Sequence, residues 1–224
     1  NTHTHTRPPR RPSAKKKPNA TPHAMTSLTL SAALDKTVNR DKDYRYMATS
    51  DLLAELLKPT FKPDTDGEKK IVNAILRLIN DTSPDVQGLA VKCLPPLVAK
   101  VHDKQIDVLV QGLAQSVLAP DDELRDIASI GLRTVVHEIA IGLGTATCAA
   151  LAPRLVKEGV CSDKLEVKLV SMDVLNDLLK RFGAHLKPDD SAACLDALIG
   201  QLSSPRGATR KRAIQCIVSL SSAM

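Results

Sequence analysis

Several groups of residues have types that could carry chemistry, and each is undone by its spacing. Ile141-Gly142-Leu143-Gly144-Thr145 has the glycine density of a phosphate cradle, in which bare backbone N–H groups wrap an anion. No strand-like run precedes it and no Lys-Ser/Thr pair follows, so a connecting loop is expected there. Asp121-Asp122-Glu123 and Asp189-Asp190 are carboxylate runs of the kind that hold divalent ions. Both stand where helices are expected to open, and acids at that point cap the helix and oppose its dipole. His102, His137 and His185 fall in separate stretches, with no nucleophile and orienting group placed beside them, so each reads as a solitary surface histidine. His3 and His5 alternate with threonine and lack further ligands. Cys93, Cys148, Cys161, Cys194 and Cys216 are odd in number, and no pair has metal or redox spacing. They read as buried structural thiols of a reducing compartment. No catalytic residue, no metal site and no cofactor follows from these patterns.

Charge and aromatic content narrow the classes further. Residues 1–24 hold Arg7, Arg10, Arg11, Lys15, Lys16 and Lys17, five prolines and no acid, so this segment cannot fold alone and is expected to be a disordered basic tail. It contains six of the 31 basic residues and none of the 25 acidic ones, which leaves the body, residues 25–224, formally neutral. The net charge of +6 therefore lies in the tail and does not make the body a nucleic-acid binder. Four readings of the tail stay open: sequence upstream of a natural start at Met25, a nuclear-import signal around Pro9–Lys17, a mitochondrial leader, or a solvated tail without function. Tyr44, Tyr46, Phe61 and Phe182 are the only aromatics. Tyr44 is expected to face the core, and four scattered rings make no stacking platform for single strands. No apolar run is long enough to span a bilayer, and a soluble intracellular chain is expected.

What must position any functional residue is a repeat. The stretch Asp85-Val86-Gln87-Gly88-Leu89-Ala90-Val91-Lys92-Cys93-Leu94 returns with small residues at Ala48, Ala90, Ala128, Ser171 and Ala213, spaced 42, 38, 43 and 42 residues apart. A period near forty is that of stacked helix pairs of the HEAT and armadillo type. Five before the anchor stand Asp43, Asp85, Glu123 and Glu166, expected to accept first-turn N–H groups, then Ala208. Three before it stand Arg45, Gln87, Arg125, Lys168 and Arg210, expected to form a ladder with the acids of the next repeat. Four after it stand Leu52, Leu94, Leu132, Leu175 and Ile217, and one before it Met47, Leu89, Ile127, Val170 and Arg212. Anchor, predecessor and i+4 partner share one helix face and are expected to bury together.

The fold class is accordingly all-α: a right-handed α-solenoid of about five HEAT-type helix pairs. Ser83-Pro84, Ala119-Pro120 and Ser204-Pro205 read as openings of inner helices, with serine as the cap. Pro95 and Pro96 predict a kink, since each lacks a donor and clashes with the carbonyl four back. Gly183 reads as a C-terminal stop. The apolar face near Met224 lacks a polar capping repeat, so the chain is expected to be the N-terminal part of a longer protein.

Whole blocks add a family resemblance. Asp41-Lys42-Asp43-Tyr44-Arg45-Tyr46-Met47-Ala48-Thr49-Ser50-Asp51-Leu52 closely resembles the opening repeat of the cullin-associated, neddylation-dissociated protein family. Val86–Leu94, Leu124–Leu132, and Ser204-Pro205-Arg206 with Arg210-Lys211-Arg212 look like its successive repeats in the same order. The likeness runs from Met25 to about Leu220 and is poor across 140–160. It implies a non-catalytic regulator in the cytoplasm and nucleus, whose partners are an unmodified cullin and its RING subunit. It further implies opposition to attachment of the ubiquitin-like modifier, promotion of substrate-receptor exchange, and either further C-terminal repeats or a C-terminal companion polypeptide. The period alone equally permits a nuclear-transport or phosphatase scaffold, and the tail alone a nucleic-acid-associated protein. Positions two and six beyond each anchor are expected to line a concave binding face: Ser50 and Ala54, Lys92 and Pro96, Ile130 and Thr134, Asp173 and Asp177, Gln215 and Ser219. Lys92, Asp173 and Asp177 are its preferred polar contacts.

Overall fold

The computed structural model describes residues 30–119 and 124–223, and among them the chain is helices and turns with no strand. Helix α1 (30–36) is followed by α2 (Lys42–Leu57), α3 (Thr65–Ile79), α4 (Pro84–Lys92) and α5 (Leu94–Val98). Then come α6 (Asp103–Leu118), α7 (Arg125–Glu138), α8 (Ile141–Arg154), α9 (Leu165–Phe182), α10 (Pro188–Gly200) and α11 (Gly207–Ala223). The inner helices touch in the order α2, α4, α7, α9, α11, and the outer ones in the order α3, α6, α8, α10. The fold is an all-α solenoid of five stacked helix pairs.

The anchors explain why the inner helices can come so close. Ala48, Ala90, Ala128, Ser171 and Ala213 are all fully buried, and small residues at the crossing let neighbouring ridges interlock. Leu52, Leu94, Leu132 and Leu175 are fully buried one turn later, while Ile217 is half-buried. Each such leucine stabilises the fold by about 1.5–3 kcal/mol. The four leucines, with Ala90, Ala128 and Ala213, belong to one elongated apolar seam that runs from Leu30 to Leu220, and Ile217 packs against it.

Proline acts as its chemistry dictates. Cys93 separates α4 from α5 with helical angles (φ −74°, ψ −19°), and the Leu97 N–H still donates to the Cys93 carbonyl at 3.0 Å. The result is a kink with continuing helix. Pro153 lies inside α8, and just beyond it Leu155–Val160 widens into a π-helical turn. There the Cys161 N–H reaches the Val156 carbonyl at 3.1 Å.

Several expectations are corrected. Ile141–Thr145 is no loop but the start of α8, and the Gly144 N–H donates to the Ala140 carbonyl at 2.8 Å. Glycine is needed there for closeness: a Cβ on Gly144 would lie 2.1 Å from the Phe182 ring. Ser83 occupies the N-cap of α4, yet its hydroxyl makes no capping bond, and its own N–H is held by Asp81 Oδ1 at 2.8 Å. Helix α11 starts at Gly207, two residues after Pro205. Gly183 closes α9 in the right-handed region (φ −59°), so no left-handed stop is formed. Tyr44 is 52% exposed and Met47 60% exposed, because they stand in columns that face the preceding helix pair and no described helix covers that side of α2. Cys161 is exposed, whereas the other four thiols are buried. The expectations for residues 1–29, Pro120, Asp121, Asp122 and Glu123 fall outside the described residues.

Candidate partner-binding surface

The charged columns are occupied differently from the simple ladder that the spacing predicts. The residue three before the anchor reaches back six positions to a turn carbonyl in four of the five repeats. Arg45 Nη1 donates to the Asn39 carbonyl at 2.9 Å, Gln87 Nε2 to Asp81 at 2.6 Å, Arg125 Nη2 to Ala119 at 2.8 Å and Arg210 Nη1 to Ser204 at 2.6 Å. The side chain thus clasps the turn that joins outer to inner helix, a local bond that costs less ordering than a reach between repeats. Arg45 also crosses to the next repeat, where Nε and Nη2 grip Asp81 at 2.6 and 2.8 Å. Lys168 makes no ion pair among the described residues. Asp43, Asp85 and Glu166 lie in first turns and oppose the helix dipole. The α2 cap itself is Asp41, which accepts the Asp43 N–H at 2.9 Å.

Two of the three preferred contact residues are consumed inside the protein. Asp177 is buried, accepts from Arg133 Nε of the preceding repeat at 2.6 Å, and has His137 Nε2 at 3.5 Å. Asp173 is gripped by Arg212 of the following repeat at 2.8 Å. Ser219 is buried and its hydroxyl oxygen accepts from the Asn176 side-chain amide at 2.8 Å. Pro96 and Thr134 are half-buried, and the Thr134 hydroxyl donates back to the Ile130 carbonyl at 2.8 Å. In the fourth and fifth repeats position six beyond the anchor turns toward the preceding inner helix, which is why Asp177 and Ser219 are seam positions and not free ones. Ser50, Ala54, Lys92, Ile130 and Gln215 are exposed, and Lys92 has no ion pair among the described residues.

His102 and His137 are not solitary. His102 Nδ1 lies 2.6 Å from Glu68 Oε1, and the same buried carboxylate accepts the His102 N–H at 3.1 Å, tying the start of α6 to α3. At the far end of the inner helices, Lys100 donates to the Lys58 carbonyl at 2.9 Å and Arg181 to the Val136 carbonyl. Cations thus satisfy helix C-termini of the preceding repeat. Burial pushes the Cys93, Cys148 and Cys216 thiols up to about 12 and Cys194 up to about 11, so none of these is a nucleophile at neutral pH. Among the described residues no group of His, Cys, Asp and Glu is placed to hold a metal ion, and no helix is long and apolar enough to cross a membrane.

The row that the sequence reading missed stands two residues before each anchor. Tyr46 on α2 is 45% exposed, Gly88 on α4 is half-buried, and Asp126 on α7 is exposed. Their spacing of four from Ser50, Lys92 and Ile130 was the available signal, since i and i+4 share a helix face.

Comparison with known proteins places the repeats. The chain is 42% identical over 199 residues to mouse cullin-associated NEDD8-dissociated protein 2, and 43% identical over 184 residues to the Drosophila melanogaster protein 1. These are HEAT repeats of the cullin-associated NEDD8-dissociated family. The alignments cover 87% and 81% of this chain but only 16% and 15% of those relatives, so the chain spans about a sixth of their length. An Emericella nidulans protein named as the N-terminal part of cullin-associated NEDD8-dissociated protein 1 is 26% identical over 220 residues, covering 85% of this chain and 65% of that one. No family model matches. Among solved structures the MAST/Orbit N-terminal domain superposes with a TM-score of 0.61 at 13% identity, covering 85% of this chain and 82% of that one. That likeness speaks for the fold alone.

Proposed function

We propose that this chain is a non-catalytic scaffold that binds a cullin together with its RING subunit in the unmodified form, opposing neddylation and promoting exchange of substrate receptors, in cytoplasm and nucleus. One observation carries this reading: identity of 42–43% over more than four-fifths of the chain with relatives whose names record cullin association. The fold suits the role. A solenoid offers an extended row of inner helices, and here the exposed positions of that row are side chains without a catalytic arrangement. The chain is further proposed to be the N-terminal part of a longer assembly, because Ile214 and Val218 on α11 are exposed in columns that are buried or half-buried in the four preceding repeats.

The test is capture of a purified cullin–RING complex by the tagged 224-residue chain, with the cullin either bare or carrying the ubiquitin-like modifier. Preferential capture of the bare form is expected. Equal capture of both forms counts against the reading.

A further inference from the structure

Glycine inside a helix loses stability relative to alanine, so each helical glycine needs a reason. Most of those in this chain have one within the fold. A Cβ would meet Leu76 at 2.9 Å on Gly112, Leu94 and Leu113 at 3.3 Å on Gly131, Phe182 at 2.1 Å on Gly144 and Ser171 at 2.2 Å on Gly159. Gly142 and Gly200 face open space but stand at helix ends, where the loss is small. Gly88 is the exception: it lies in the middle of α4, and a Cβ on it would find nothing within 4 Å. Its bareness serves no contact within the described residues.

Its surroundings give the bareness a use. Helix α4 packs between α2 and α7, so Gly88 lies in one row with Tyr46 and Asp126, and Lys92 in the next row with Ser50 and Ile130. Tyr46 and Ile130 are large exposed hydrophobics, and Lys92 and Asp126 have no ion pair among the described residues. In the fourth repeat the equivalent ridge is closed, with Asp173 held by Arg212 and Leu169 half-buried, whereas the fifth presents Lys211 and Gln215, exposed but without a large apolar side chain. We infer that these two rows on repeats one to three are the docking patch for the partner proposed above, on which reading the inference rests. The occupant is a segment of the cullin that lays an apolar side chain against the bare α4 backbone at Gly88, between Tyr46 and Ile130. A carboxylate beside that side chain faces Lys92, the cation of the patch, while Asp126 disfavours a second acid at the other end. Exposed tyrosine, an unpaired cation and a backbone open to close approach are the elements of an interface centre.

The experiment measures the Kd of the full chain for the unmodified cullin–RING complex, beside the Tm of each variant. Gly88→Gln is expected to keep or raise the Tm, because a helix former replaces glycine in open space, while weakening binding about tenfold by filling the bare spot. Lys92→Glu is expected to leave the Tm unchanged and weaken binding by a similar factor, whereas Lys104→Glu, on the exposed side of the outer helix α6, leaves Kd unchanged. Wild-type affinity in both Gly88→Gln and Lys92→Glu overturns the patch while leaving the proposed function standing. Absence of binding by the wild-type chain overturns the functional reading and the patch with it.

Discussion

Arg45 and Asp81 make the tightest link between the first two repeats, a two-point grip in which both side chains are mostly buried. The Arg45 guanidinium holds the Asp81 carboxyl below the usual carboxylate range, with help from the Ser83 N–H and against the cost of burial. A carboxyl depressed in the folded state stabilises fully above its unfolded value, about 4, and loses that contribution as pH falls toward the folded one. Arg45→Ala should therefore cost about 2 kcal/mol at pH 7, and the gap to wild type should narrow below about pH 4. Urea titrations at a series of pH values measure it. Thiol reactivity gives a second prediction at this scale. With Cys161 exposed and four thiols both buried and raised to about 11 or 12, iodoacetamide at pH 8 should modify one cysteine per native chain. Mass spectrometry should show the other four modified only after unfolding.

At the scale of elements, α8 decides how the fourth pair packs. Its glycines look alike in sequence and differ entirely in surroundings. Gly144 lies beneath the fully buried Phe182 ring, and Gly142 faces open space. Gly144→Ala should destabilise the fold by about 2 kcal/mol or more, since an overpacked core must shift a ring that has nowhere to go. Gly142→Ala should instead stabilise it by about 0.5 kcal/mol through the unfolded chain and helix propensity. Thermal or urea unfolding of the two variants side by side separates them. The start of α8 was not readable from the sequence. Glycine spaced at every second residue mimics a loop until the partner ring is known.

Over the whole molecule, stability should be graded along the stack, because each helix pair touches only its neighbours and the middle ones are covered on both sides. The pair α6–α7 and helix α9 have neighbours before and after, whereas α11 leaves Ile214 and Val218 open and α2 leaves Tyr44 and Met47 open. Amide hydrogen exchange followed by mass spectrometry should accordingly be slowest in α7 and α9 and faster in α2 and α11. Uniform protection from α2 to α11 would contradict a nearest-neighbour stack.

The repeat, its five anchors and the leucine seam were legible in the chain alone. The reason is that burial against like neighbours selects size and apolarity, and the 3.6-residue helix writes that selection at fixed spacing. Which charges face a partner was not legible. Asp173 and Asp177 sit at the same sequence offsets as Lys92 and Pro96, yet Arg212 and Arg133 of adjacent repeats claim them. A polar side chain's fate depends on what another helix, some forty residues away, brings within 3 Å. No local pattern carries that information, and only the stacked tertiary structure supplies it.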